Sequence, residues 1–183
     1  MVELSVHRAG AADRPVLERL WLMFQHDMSE FWGLLPYPDG TFRSTRLQAA
    51  FSGDDSVAYL FTSTDRPVGF AVVRGLTEER RVLTSFFVVR GVRRSGIGLR
   101  AVREVVDRHP GRWEVAFQDG NAGAVRFWRR AADAIAPAAW TEDRRPVPTR
   151  PDLPPDVWIS FAGSGPGGVE EHTGVEDGGR VQG

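Results

Sequence analysis

Val88-Val89-Arg90-Gly91-Val92-Arg93-Arg94-Ser95-Gly96-Ile97-Gly98-Leu99 decides how this chain is read. A β-branched and aromatic run ends there, a basic turn with two close glycines follows, and an amphipathic segment opens at once. Strand, glycine turn and helix in that order gather bare backbone N–H groups and the positive end of a helix dipole at one point, which suits a phosphate. Gly96 and Gly98 carry no Cβ, so the main chain can approach an anion closely. Arg90, Arg93, Arg94 and Arg100 add guanidiniums able to fork onto phosphate oxygens.

Two familiar phosphate loops compete for this stretch. No Lys followed by Ser or Thr closes the turn, so a P-loop for nucleoside triphosphates finds no support. A dinucleotide fingerprint comes closer, because Ala101 stands at its third small position and Asp119 closes the next strand. Its context differs, since a long basic turn separates strand from glycines and hairpin-like strands precede it. What remains is Arg93-x-x-Gly96-x-Gly98 soon after Ser85-Phe86-Phe87-Val88-Val89. That pattern resembles the coenzyme A signature of the GNAT superfamily of N-acetyltransferases.

Size and composition bound the alternatives. A chain of 183 residues with a formal net charge of −1 predicts one domain with a substantial core, and gives no broad electrostatic case for nucleic acid or an anionic membrane. No apolar run is as long as a bilayer span and Met1-Val2-Glu3-Leu4 does not read as a signal peptide, so a cytoplasmic protein is expected. Cysteine is absent, which removes disulfides, thiolate metal sites and an acyl-cysteine intermediate. Lysine is absent too, excluding Schiff-base chemistry on a lysine.

Periodicity then lays out the elements. Glu3 to His7 alternates as a first strand, and Asp13 is expected to cap a helix carrying Val16, Leu17, Leu20, Trp21 and Phe24 at helical spacing. A short helix is predicted over 43–51, and strands over 57–62, 68–73 and 81–89. A helix over 96–108 and a strand over 113–118 follow, and Asn121 opens another helix. Segments 138–141 and 157–161 are expected to pair as closing antiparallel strands. From Gly163 onward glycine and acidic residues dominate, so a domain over 1–162 and a disordered tail over 163–183 are expected. This order matches the same superfamily across nearly all of the chain before the tail. It implies an α/β (α+β) fold: a mixed central sheet with splayed parallel strands, flanked by about four helices.

The resemblance assigns roles residue by residue. The backbones of Phe86 and Val88 would bond the pantetheine amides of coenzyme A. Arg93, Arg94, Ser95, Gly96, Ile97, Gly98 and Leu99 would surround its pyrophosphate. Asn121 with Ala124, Phe127 and Trp128 matches the second signature of that family, so Asn121 would touch pantetheine as well as cap its helix. Trp128 departs from the Tyr that many relatives use as an acid toward the leaving thiolate, because an indole N–H is no useful acid. Tyr37 and Tyr59, the only phenols, could stand in, although Tyr59 also reads as core.

An alkylammonium acceptor must lose a proton before attack. Glu114 shares a strand face with Ala116 and Gln118; it reads as a base, or equally as an ion-paired carboxylate. His26 and Glu30, one helical turn apart with Asp27 between, read either as a pocket for a cationic amine or as a solvated helix face. The resemblance thus implies an acetyl-CoA-dependent N-acetyltransferase acting by direct attack on a small-molecule or peptide amine. Neither a metal, nucleic acid nor a membrane partner is expected, and a homodimer stays open. Two other readings stand beside it: another acyl donor or a hydroxyl acceptor, and a catalytically idle CoA sensor.

Overall fold

Alternating apolar residues between 56 and 74 build the centre of the molecule, whose computed structural model describes residues 3–148 and 152–163. β2 (Ser56–Ser63) and β3 (Arg66–Arg74) form a hairpin through Thr64 and Asp65, both at positive φ (48° and 62°). That primed turn geometry matches the twist of the strands. β1 (Ser5–Arg8) adds to β2 and β4 (Arg80–Val88) adds to β3, all antiparallel. β5 (Gly111–Phe117) runs parallel to β4, and β7 (Asp156–Gly163) and β6 (Thr141–Arg145) close the sheet in the order β1-β2-β3-β4-β5-β7-β6.

Side-chain alternation splits the core in two. Tyr59, Phe61, Val73, Leu83, Trp113 and Val115 face α3 (Ile97–Asp107) and α4 (Ala122–Ile135), whose buried stripes include Val102, Val105, Trp128 and Ala131. Ala58, Leu60, Phe70, Val72 and Phe87 face α1 (Arg14–Trp32) and α2 (Thr45–Ala49), through Leu17, Leu20, Trp21, Phe24 and Leu47. The mixed sheet and four helices agree with the expected architecture.

Three expectations need correction. Asp13 stands at the start of α1, but its carboxylate accepts from the Gly10 N–H (2.8 Å) and closes the preceding turn instead of capping the helix. The sixth strand lies at Thr141–Arg145 rather than 138–141, because an edge strand need not be apolar and this one is charged along its length. β7 includes Gly163, and the rest of the expected tail lies outside the described residues.

Candidate active site

β4 and β5 pair only from Arg80↔Arg112 to Leu83↔Val115, although both strands run on. The parting coincides with a bulge. Val73 faces Leu83 and Val72 faces Ser85, so Thr84 is the extra residue. A bulge strengthens local twist and releases ladder groups. Val89 N–H donates to Val68 O (2.9 Å), so by alternation Ser85 and Phe87 turn their main chain toward β3, while Phe86 and Val88 turn theirs into the gap. The Val88 carbonyl accepts from Arg93 Nε (2.7 Å).

At the end of β4 the chain enters the glycine turn. Among the described residues, no acceptor meets the N–H of Arg94, Ser95, Gly96, Ile97, Gly98 or Leu99. Bare amides at a helix start form an anion site. The two glycines serve different ends. Gly96 sits at φ 87° with open space where a Cβ would be, which is room for a phosphate. A Cβ on Gly98 would lie 3.1 Å from Phe127 Cε2, so this glycine lets α3 close onto α4. Arg94 also has positive φ (67°), and Ser95 Oγ donates to Val92 O (2.7 Å), tightening the turn.

The arginines divide. Arg90 and Arg93 both hydrogen-bond the Asp27 carboxylate, tying α1 to the turn, with Arg90 Nη2 2.7 Å from Oδ1. Burial acts to raise the Asp27 pKa, but the hydrogen bonds from Arg93 and Arg90 and their charges hold it below the usual carboxylate range. Arg93 thus spans Val88 O and Asp27, over the Phe87 ring (5.6 Å). No partner engages the Arg94 side chain among the described residues.

Aromatic side chains wall the gap. Phe86 stacks on Phe127 (5.4 Å, 18°) and meets Trp128 edge-on (5.4 Å, 67°), and Trp128 is 7% exposed. Asn121 caps α4, its Oδ1 accepting from Ala124 N–H (3.0 Å), which leaves its amide NH2. The alternative acid Tyr59 is excluded, because its hydroxyl lies 2.6 Å from His109 Nε2 in the core and burial pushes its pKa up. Tyr37 is half-exposed in the loop after α1.

The carboxylates and His26 do not converge. Glu114 is buried on β5, and Arg80 Nη1 (3.2 Å), Arg145 Nη1 (3.2 Å) and Ser160 Oγ (3.4 Å) all approach its Oε1. No donor meets Oε2 among the described residues. Gln118 donates to Asp156 Oδ1 (3.0 Å) on the same face. His26 lines a groove of about 590 Å³ with Leu22, Met23, Asp27, Phe87, Val89 and Arg90, where β4 leaves the sheet. Glu30 is exposed outside that lining. Sequence reasoning missed Arg46, Ser85 and Asp156. Arg46 Nη1 donates to the Thr84 carbonyl at the bulge (3.1 Å), a contact over 38 residues that no local pattern signals.

A parallel pair parted at a bulge thus opens, within a mixed sheet, onto a turn of bare amides at a helix start. A sequence profile described as Acetyltransferase (GNAT) family matches residues 17–132, and the chain belongs to that family of acyl-transferring enzymes. Compared by sequence with curated proteins, the chain finds no match. Its fold is similar to that of the ribosomal-protein-S18-alanine N-acetyltransferase of Escherichia coli (13% identity, TM-score 0.61, covering 91% of this chain and 98% of that one). Similar too are an acetyltransferase of Thermus thermophilus (16%, TM-score 0.63, 88% and 99%) and the spermidine N-acetyltransferase of Vibrio cholerae, solved with CoA and spermine (9%, 0.61, 87% and 95%).

Proposed function

We propose that this chain transfers the acetyl group of acetyl-coenzyme A directly to an amine of a small molecule or peptide. The observation that carries this reading is the gap between β4 and β5, which leads to six amides unpaired among the described residues. In it, the amides of Arg94, Ser95, Gly96, Ile97, Gly98 and Leu99 take the pyrophosphate, with Arg94 adding charge. Arg93 acts from the side by fixing the Val88 carbonyl, which keeps a lone pair for a pantetheine amide. Phe86 offers the neighbouring main-chain groups and Asn121 its amide NH2.

Coenzyme A supplies the activated thioester; the chain supplies position and proton handling. Trp128 packs beside the thioester and donates no proton, and coenzyme A leaves as its thiolate, the conjugate base of a thiol of pKa about 8.5, which needs none. Glu114, held at Oε1, offers Oε2 as base, directly or through water. His26 and Glu30 are assigned to the acceptor side, from the α1 groove and its rim. The proposed setting is the cytoplasm; among the described residues no helix is long and apolar enough to cross a membrane. No metal enters the proposed reaction.

Thiol release tests this, using acetyl-CoA, longer acyl-CoAs and an amine panel. Release with acetyl-CoA is expected. Release only with longer donors selects another acyltransferase, and tight CoA binding without release from any donor selects a sensor. Glu114→Gln should lower kcat/KM at pH 7 by about tenfold or more, the loss shrinking as pH nears an alkylamine's pKa of about 10.4. A loss that is the same at every pH would remove Glu114 as the base.

A further inference from the structure

Asp27 joins three parts of the chain. Its carboxylate projects from the C-terminal half of α1, with 18% of the side chain exposed. Oδ1 accepts from Arg90 Nε (3.1 Å) and Nη2 (2.7 Å), just beyond β4, and Oδ2 accepts from Nη2 of Arg93, three residues further on. Arg93 in turn donates Nε to the carbonyl of Val88 (2.7 Å), the last residue of β4, and lies over the Phe87 ring (5.6 Å). Among the described residues no other carboxylate pairs with either arginine.

Burial does not hold these guanidiniums. The side chains of Arg90 and Arg93 are 68% and 41% exposed, and a flexible stem there takes whichever acceptor lies within reach. A lone exposed ion pair would fix little. Here two guanidiniums converge on both oxygens of one mostly buried carboxylate, and one of them carries the contact on to main chain through charge-assisted hydrogen bonds. Asp27 therefore decides where Arg93 points. Arg93 stands next to Arg94, where the run of amides unpaired among the described residues begins, so its alternative is the anion site itself. With Nε and Nη2 engaged, it holds the Val88 peptide instead, leaving that carbonyl a second lone pair for the gap.

Resting on the acetyl-transfer reading, we propose that Asp27 is a positioning residue for the acyl donor: through Arg93 it fixes the Val88 peptide at the edge of the gap, and so sets where the pantetheine arm and its thioester lie. Asp27 also lines the α1 groove beside His26, so the acceptor side and the donor gap share one fixed point. Both of its oxygens are spent, which leaves it no part in taking the acceptor's charge or proton.

Asp27→Asn tests this by removing the charge and keeping the size. Thiol release from acetyl-CoA with the best amine of a panel gives kcat and KM, and calorimetric titration gives CoA affinity. The substitution should lower kcat about 10- to 100-fold, the cost of a misplaced reacting group, while CoA affinity stays within about threefold or tightens as the freed Arg93 adds charge near the diphosphate. Asp27→Glu should recover part of the loss, because it restores the charge. Arg93→Gln should lower kcat alike, and Asp27→Asn added to it should cost less than about threefold more, since residues acting through one contact are not additive. A merely structural role predicts otherwise: CoA affinity falling in step with kcat, or the two losses multiplying, overturns the proposal. Nitrogen-15 NMR of the free protein reads the same contact without turnover. The Arg93 Nε–H should be protected from solvent exchange in the wild type and lose that protection in Asp27→Asn; a wild-type signal exchanging as fast as that of exposed Arg94 removes the tie. Turnover that Asp27→Asn leaves intact overturns this assignment alone. Absence of thiol release with every amine, together with absence of CoA binding, overturns the acetyltransferase reading itself.

Discussion

Replacing Gly96 separates the two things its position does. The residue sits at φ 87° with nothing within 4 Å of an added Cβ, so any L-residue there meets strain without a clash. Left-handed backbone costs an L-residue about 1–2 kcal/mol, a drop in Tm of roughly 2–8 °C for a chain of this size. Gly96→Ala should show that loss, with CoA affinity within a few-fold of wild type. Gly96→Asp should show a similar or smaller loss of stability, since Asp tolerates this region better. Its carboxylate, however, stands where the diphosphate is proposed to bind. Two unit charges about 5 Å apart at an effective dielectric of about 20 repel by about 3 kcal/mol, which weakens affinity about 100-fold. Calorimetric titration with CoA, beside thermal melts, reads both quantities. The deficit of the Asp variant relative to the Ala variant should narrow at high salt. Equal CoA affinity for the two variants would refute the assignment of this turn to the diphosphate.

Ser85→Ala removes a buried hydroxyl that has no partner among the described residues, and should stabilise the protein by up to about 1 kcal/mol in denaturant melts; a loss of that size would reveal a hidden bond. His109 should make stability depend on pH. Its pKa is lowered by burial first, then by Arg81, Arg8 and Arg108, so the unfolded chain binds the proton more readily. Its contribution is therefore complete above the ordinary value of about 6.5 and lost as pH falls below it, by at most about 1.4 kcal/mol per pH unit. His109→Gln should flatten that part of the stability profile between pH 7 and 5, and an unchanged slope would place the dependence on other groups.

Much of the fold was legible because its signals are local. The alternation in Val57 to Thr62 and Val68 to Val73, the turn between them, and the stripe Ile97, Ala101, Val102, Val105 each depend on neighbours within a few residues. The glycine turn was legible for the same reason, since backbone amides at a helix start need no distant partner. The charged β6 escaped because only its pairing with β7 makes Thr141–Arg145 a strand. Gly98 was read as clearance for an anion, and its contact with Phe127 of α4 could not be seen before the two helices met.

The linear order of residues was enough to lay out most of the succession of elements and to show the lack of a phenol at position 128, and it is the source of the expectation that Phe86, Gly96 and Asn121 share one cofactor-facing set. Where the arginines go was settled by packing in three dimensions. Arg90 and Arg93 turn to Asp27, 63 and 66 residues away, Arg80 and Arg145 close on Glu114, and Arg46 reaches Thr84. A guanidinium on a long flexible stem takes whichever acceptor the packed elements bring within reach, and that choice is made across the sheet rather than along the chain.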